Sequence, residues 1–403
     1  MRLPAVLRDL LALPTAPFLE HAVLDHLQQA CARLPGVALC RDPHGDLLAH
    51  YRHAQPANPP VAFVAHTDHP GFEALEMVDR RILRAAFRGG VKPEYFPRAR
   101  VRFWTAGLWP ASASGAPAAG RWVSGEVQEL SKTQRERTVT GWVMRPQEVR
   151  VRVRQPVDAG APGMWDLPDP QLDGDLVLAR ACDDLAGCAA LLALLQRLSR
   201  AQAAAEVYCL FTRAEEVGFV GAIAAARAAT VPRDVPIFSI ETSSALVNAT
   251  IGSGPIVRVG DRTAVFSERL SGFVDRVAHG LAARRRRFRY QRKLMDGGSC
   301  EAVPFLAYGY EAGGICLALG NYHNMDVRRQ RIGSESVSLS DWSGMVDLFE
   351  ALAVADDQRS TNWEETRTRL DERFAQYEPL LNRGTAGVSD RTAGVPARCP
   401  ASA

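Results

Sequence analysis

The sequence predicts an α/β protein with a mostly parallel, twisted sheet that is flanked by helices and interrupted by a small, barrel-like β domain. Helical and strand-like segments alternate in residues 1–76 and again in residues 166–385, the order expected of strands joined by crossover helices. Between them, residues 77–165 lose helical periodicity and show short alternating segments separated by Gly, Pro and Ser. We therefore expect one discontinuous α/β domain with a β domain inserted into it.

Local patterns predict the first elements of the α/β domain. Residues 3–34 have helical periodicity that is broken at Pro14 and Pro17, which indicates two helices. Two short strands are expected around the turn at 43–45. The continuous apolar run VAFVAH is typical of a buried central strand, and this strand would end at His66.

The chain after the insert returns to the α/β pattern. A helix that begins at Leu185 precedes the strand EVYCLFTRA, the Ala-rich helix GAIAAARAA and the strand VPIFSIE. A helix at about 266–285, a strand at ICLAL and a long helix at about 339–355 complete the prediction. We expect the loop ASASGAPAAG to be flexible and residues 386–403 to form a disordered tail.

Composition limits the classes of function. A chain of 403 residues with 47% hydrophobic content can form sizeable cores. The net charge of +3, from 48 basic and 45 acidic side chains, does not favour nucleic acid or a membrane as partner. The eight dispersed cysteines contain no Cys-x-x-Cys pair, and the N-terminus has no pattern of a secretory signal. We expect a cytoplasmic protein.

His, Asp and Glu side chains recur where predicted strands end, which is the edge at which parallel sheets place ligands. Each alone has an ordinary explanation, such as a structural histidine, a helix N-cap at Asp184 or a solvated acidic loop. Together, two imidazoles and three carboxylates suit two divalent cations with one bridging carboxylate, a site that activates water for hydrolysis. The five candidate metal ligands are His66, Asp183, Glu216, Glu241 and His323.

Two further carboxylates complete the candidate site. Asp68 follows His66 by two residues and can fix the orientation of its ring. Glu215 precedes Glu216, and neighbouring side chains of extended backbone point to opposite sides. One carboxylate can therefore bind a cation while the other acts as general base.

The order of these motifs resembles that of the co-catalytic dinuclear zinc aminopeptidases of the tetrahedral aminopeptidase and glutamyl aminopeptidase family, over about residues 8–350. The motifs that carry the resemblance are HTDHPGF, ACDDLAG, AEEVGFVGA, GSGPIVRVGD and GGSCEA. The resemblance implies a zinc-exopeptidase-like fold, peptide substrates and two divalent ions, zinc, or else cobalt or manganese. It also implies that the β insert is an oligomerisation or substrate-access domain, in a homo-oligomer that in relatives has twelve subunits.

Roles follow from the resemblance residue by residue. Asp183 would bridge the two cations and precede a cis peptide bond. His66 and Glu241 would complete one cation site, and Glu216 and His323 the other. Glu215 would be the general base and Asp68 would orient His66. The chain departs from the family in having Glu241 in place of Asp, Leu185 in place of Arg, and no Arg in the turn before His323.

Three alternatives stay open. The related carboxypeptidases and N-acyl-amino-acid deacylases share the paired Glu and bridging Asp, but their insert falls between the fourth ligand and the last His, whereas here it lies between His66 and Asp183. A catalytically silent binding protein would have lost Glu215 or several ligands. The basic run ARRRRFRYQRK at 283–293 could contact phosphates or an acidic substrate, although it also suits the exposed end of a helix.

Overall fold

The computed structural model describes residues 2–105, 120–138, 141–355 and 363–385. The first part of the chain forms two helices and three strands of the main sheet, as predicted. These elements are α1 Ala5–Leu11, α2 His21–Cys31, β1 Val37–Arg41, β2 Leu47–Arg52 and β3 Val61–His66. Every residue of β3 is buried, because this strand lies in the interior of the sheet.

The inserted β domain is a closed barrel, which confirms the prediction of its fold. Its strands are β4 Gly71–Met77, β5 Ile82–Arg88, β6 Arg100–Thr105, β7 Arg121–Thr138, β8 Gly141–Val153 and β9 Pro162–Trp165. The interior is filled by aromatic rings, including those of Phe72, Phe87 and Trp165. The first barrel strand starts at Gly71, earlier than the predicted boundary at 77.

After the barrel, the chain alternates helices and strands as far as Ala353. Its elements are β10 Gln171–Asp173, β11 Leu176–Ala179, α3 Leu185–Ala201, β12 Glu206–Thr212, α4 Val220–Ala228, β13 Ile237–Ser244, β14 Ile256–Asp261, α5 Glu268–Arg284, β15 Gln291–Met295, α6 Ala302–Ala307, β16 Ala312–Leu319, β17 Met325–Asp326, β18 Arg331–Ile332, β19 Glu335–Ser338 and α7 Leu339–Ala353. Helix α3 is almost entirely buried, and its first turn is capped by the Asp184 carboxylate, which accepts from the Gly187 N–H.

The main sheet has the order β1-β2-β12-β3-β13-β16-β14-β15 within the described residues. Strands β12, β3, β13 and β16 are parallel to their neighbours in that run, so their carboxyl ends meet at one edge. Strands β1, β2 and β14 supply antiparallel pairs. The predicted α/β class with a mostly parallel sheet is confirmed.

The C-terminal boundary of the α/β domain differs from the prediction. The described residues up to 355 form one compact unit and those from 363 form a second one, whereas the predicted domain extends to 385. The second unit contains helix α8, Trp363–Thr385, a polar helix for which no prediction was made. The predicted tail at 386–403 and the predicted flexible loop at 111–120, except Gly120, lie outside the described residues.

The basic run at 283–293 connects the end of α5 to β15. This agrees with the prediction that the run is the exposed end of a helix. Phe288 is buried, and its ring stacks on that of Tyr290. The two aromatic side chains therefore pack within the protein. No helix in the described ranges is both long and apolar enough to cross a membrane.

Candidate metal centre

The candidate ligands converge at the carboxyl edge of the parallel strands. His66 is the last residue of β3, Glu216 follows β12 and Glu241 lies on β13. His323 follows β16, and Asp183 lies in the connection that leads from β11 to α3. All five side chains are buried, although three of them are carboxylates. Residues that are far apart in the sequence thus share one small volume.

The first group of ligands contains His66, Asp183 and Glu241. The His66 Nε2 atom lies 3.4 Å from Asp183 Oδ1 and 3.9 Å from Glu241 Oε2. One ligand atom from each of the three residues lies within 4.8 Å of the other two. The Glu241 carboxylate therefore reaches the small volume that His66 and Asp183 share.

The second group contains Asp183, Glu216 and His323. The His323 Nε2 atom is 3.7 Å from Asp183 Oδ2 and 3.2 Å from Glu216 Oε2. The two oxygens of Asp183 therefore face two different histidines. This is the arrangement that a carboxylate needs to bridge two cations.

The donor set fits two divalent cations. One buried oxygen of each carboxylate, Asp183 Oδ1, Glu216 Oε1 and Glu241 Oε1, accepts no hydrogen bond from the described residues, although buried polar atoms normally have a partner. Burial raises the pKa of Glu241 to about 8 and that of Glu216 well above its usual range, so the crowded carboxylates favour a compensating positive charge. Burial lowers the pKa of His323 to about 4, which keeps its imidazole neutral and able to bind a metal.

Glu215 lies beside both groups. Its Oε2 atom is 3.9 Å from His66 Nε2, and its side chain is 12% exposed. Burial raises the pKa of this carboxyl group well above its usual range. Glu215 also forms a third possible ligand group with His66 and Glu216. Its position therefore suits either a general base or a metal ligand.

Asp68 supports the turn that carries the paired glutamates. Its two carboxylate oxygens accept from the backbone N–H groups of Glu215, at 2.9 Å, and of Glu216, at 3.0 Å. The His66 Nδ1 atom is 3.5 Å from the Asp68 carboxylate and 3.1 Å from the Asp68 carbonyl oxygen. Asp68 therefore contacts His66 and holds the backbone of both glutamates.

Sequence reasoning missed the residues that hold the backbone around Asp183. Glu335 accepts from the N–H groups of Cys182, at 2.8 Å, and Asp183, at 3.1 Å. His69 Nδ1 lies 2.7 Å from the Asp183 carbonyl oxygen. The bond between Asp183 and Asp184 is cis, as the resemblance implies. His69 could have been found from its place in HTDHPGF, but Glu335 carries no local motif.

The barrel contributes two contacts to the second ligand group. His323 Nδ1 donates to the Gly90 carbonyl oxygen at 2.9 Å, which leaves Nε2 free to bind a cation. The Arg145 guanidinium donates to the Glu216 carbonyl oxygen at 3.1 Å. Gly90 lies between β5 and β6, and Arg145 lies on β8. The insert therefore touches two ligands of the same group.

Two cavities open from the ligands. The inner cavity, of about 230 Å³, is lined by Glu215, Glu241, Ser243, Arg258, Met295 and His323, among others. The Arg258 side chain is 2% exposed; it donates to Ser243 Oγ at 3.3 Å, and its Nε atom has no partner in the described parts of the chain. The outer cavity, of about 420 Å³, lies between the β7–β8 hairpin and the turn that carries Glu215 and Glu216.

Sequence comparison identifies relatives of this chain. Residues 45–331 match the profile of the M42 glutamyl aminopeptidase family. A protein of Acetivibrio thermocellus whose name assigns it as an aminopeptidase is 26% identical over 187 residues. That match covers 45% of this chain and 52% of the relative, so it spans about half the length of the curated protein.

Solved structures share the fold at low sequence identity. An aminopeptidase from the archaeon Desulfurococcus kamchatkensis is 19% identical with a TM-score of 0.68, over 88% of this chain and 94% of that chain. The TET1 peptidase of Pyrococcus horikoshii is 19% identical with a TM-score of 0.66, over 86% and 98%. An aminopeptidase of the M18 family from Thermotoga maritima is 12% identical with a TM-score of 0.61, over 86% and 94%.

Proposed function

This chain belongs to the M42 glutamyl aminopeptidase family, and from that premise we propose that it is a two-metal aminopeptidase that removes N-terminal residues from peptides. The observation that carries the proposal is Asp183, whose two oxygens face His66 and His323 separately. His66 and Glu241 would hold one cation, and Glu216 and His323 the other. Zinc suits this set of imidazoles and carboxylates, and cobalt and manganese suit it as well.

In the proposed reaction, each residue of the site has a separate role. When bound, the two cations supply a water of lowered pKa and stabilise negative charge that develops on the substrate carbonyl. Glu215 takes a proton from the attacking water and returns it to the leaving amine. Asp68 holds the Glu215 backbone N–H at 2.9 Å, which fixes the base relative to His66.

Substrate hydrolysis with and without metal tests this function. We expect the protein to release aminoacyl groups from aminoacyl anilides, to lose that activity on treatment with a chelator, and to regain it when zinc, cobalt or manganese is returned. Matched N-acyl-aminoacyl anilides should not be cleaved, because an aminopeptidase requires a free amine. Cleavage of only the N-blocked substrates would favour the deacylase alternative, and chelator-resistant activity would contradict the proposed metal centre.

Arg258 supports a preference for an acidic N-terminal residue. Its guanidinium lines the inner cavity, is almost fully buried, and has no carboxylate oxygen within 4.0 Å in the described ranges. A buried guanidinium binds a carboxylate through charge-assisted hydrogen bonds. An N-terminal Glu or Asp side chain that enters the inner cavity would supply that partner.

The prediction for Arg258 concerns selectivity. We expect Arg258→Gln to lower the ratio of kcat/KM for glutamyl anilide over leucyl anilide by tenfold or more, since a hydrogen bond to a charged group contributes about 1.5–3 kcal/mol. Arg258→Lys should retain part of the preference. Metal content and leucyl anilide cleavage report whether each variant folds. An unchanged ratio in Arg258→Gln would exclude this residue as the determinant.

We also propose that the protein is a homo-oligomer built through the barrel. The TET1 peptidase of Pyrococcus horikoshii assembles into a tetrahedron or a large octahedral shell, and a related structure is a dodecamer. At the tip of the β7–β8 hairpin, the apolar side chains of Trp142 and Met144 are 59% and 54% exposed, as expected of residues that a second copy covers. A cytoplasmic location remains a prediction from the sequence.

A further inference from the structure

The outer cavity has a basic wall that the proposed chemistry does not use. Arg137, near the end of β7, and Arg262, directly after β14, both line this cavity and are exposed. Neither has an acidic partner within 4.0 Å in the described part of the chain. Arg145 also lines the cavity, but it is occupied by the Glu216 carbonyl oxygen and by Glu136, at 3.3 Å.

The order of the two cavities fixes which part of a peptide would meet this wall. The inner cavity is lined by the buried side chains of Thr242, Arg258 and Met295 and also by exposed residues such as Ser244. The outer cavity shares Glu215, Tyr322 and His323 with it and continues to exposed residues. With the N-terminal residue placed beside Arg258 in the inner cavity, as proposed above, the chain beyond the scissile bond leaves through the outer cavity.

Arg262 is held next to the junction of the two cavities. Its backbone N–H donates to the Gly298 carbonyl oxygen at 3.0 Å, and Gly298 lines both cavities. Arg137 lies on the barrel, one residue before the end of β7 at Thr138. The two arginines therefore lie on different parts of the fold: Arg137 on the barrel and Arg262 on the α/β domain.

We propose that Arg137 and Arg262 form a subsite for a carboxylate on the leaving side of the scissile bond. This carboxylate is either the free C-terminus of a short peptide or an acidic side chain that follows the cleaved residue. Guanidinium groups pair well with carboxylates. Three acidic residues also line the outer cavity: Glu136 pairs with Arg145 at 3.3 Å, and Glu215 and Glu216 lie against His66 and His323. The proposal rests on the aminopeptidase function and specifies its substrate.

A set of matched peptides tests the subsite. The substrates are Glu-Ala with a free C-terminus, its C-terminal amide, and the amides of Glu-Glu and Glu-Gln. We expect the free acid of Glu-Ala to be cleaved with a kcat/KM about tenfold above that of its amide, chiefly through KM. The double variant Arg137→Gln/Arg262→Gln should bring this ratio close to one. The exposed Arg286, which lines neither cavity, provides the control Arg286→Gln, and this variant should keep the wild-type ratio.

The outcomes distinguish the two sources of the carboxylate. They also distinguish failure of the subsite proposal from failure of the aminopeptidase proposal. A preference for Glu-Ala over its amide identifies the C-terminus, whereas a preference for Glu-Glu-amide over Glu-Gln-amide identifies the side chain. Equal rates within both pairs in the wild type, or preferences that survive in the double variant, would overturn the subsite. Failure of the wild type to release the N-terminal residue from all of these peptides and from leucyl anilide would instead overturn the aminopeptidase function, and the subsite with it.

Discussion

Glu215→Gln is expected to lower kcat by about a hundred- to ten-thousandfold, the usual contribution of general acid–base catalysis, while the protein still binds two metal ions. The Glu215 carboxylate lines both cavities and lies 3.9 Å from His66 Nε2, so it can reach a water that attacks a carbonyl at their junction. Glutamine has the same shape but cannot accept the proton. Steady-state kinetics on glutamyl anilide and the metal content of the purified variant measure the two effects.

Glu216→Gln is the matched control, because the neighbouring glutamate is a proposed ligand rather than the base. Its Oε2 atom is 3.2 Å from His323 Nε2, and we expect its variant to lose affinity for one of the two ions. The comparison also decides the role of Glu215, which the distances alone leave between base and ligand. If Glu215→Gln lost an ion while Glu216→Gln kept both, the two roles would have to be exchanged.

Gly90→Ala is expected to weaken the binding of one metal ion by about ten- to a hundredfold, the usual cost of disturbing a group that orients a metal ligand. A Cβ atom at Gly90 would lie 3.0 Å from His323 Nδ1 and 3.1 Å from His323 Cε1. The ring must therefore shift by a few tenths of an ångström, which disturbs the 2.9 Å hydrogen bond to the Gly90 carbonyl. Isothermal titration of the metal-free protein with zinc should show one strong and one weakened site.

The control for this substitution is Gly280→Ala, in helix α5. A Cβ atom there would meet nothing closer than the Arg284 guanidinium, at 3.9 Å, so both sites should keep wild-type affinity. Activity of Gly90→Ala should recover at high metal concentration, since the base and the inner cavity are intact. Two unchanged binding sites in Gly90→Ala would show that the barrel does not support His323.

The candidate ligands could be predicted because each one is a side chain with a local sequence context. His66, Glu216 and Glu241 stand at or after the apolar runs that form β3, β12 and β13, and the parallel order of these strands brings them together. The contact from Gly90 could not be predicted, since a backbone carbonyl oxygen leaves no signature in the sequence. Glu335 was missed because its N–H partners lie more than 150 residues away along the chain.

The fold was predicted in class but not in its boundaries. Strand β4 begins at Gly71, a few residues after β3 ends at His66, so the passage from sheet to barrel has no linker that a change in composition would reveal. The position of Arg258 in the inner cavity was also hidden, although it lies within GSGPIVRVGD. It depends on the antiparallel pairing of β14 with β16, which the sequence does not specify.

The contacts of Gly90 and Arg145 with His323 and Glu216 limit how this architecture can be recombined. A barrel grafted from another member of the family would have to present a carbonyl and a guanidinium at these same two points, or the host would receive an incomplete metal centre. The insert and the α/β domain therefore have to match each other at these two contacts. Chimeras between relatives should succeed when both barrel loops are transplanted together with the segment around His323, and fail when the junctions alone are matched.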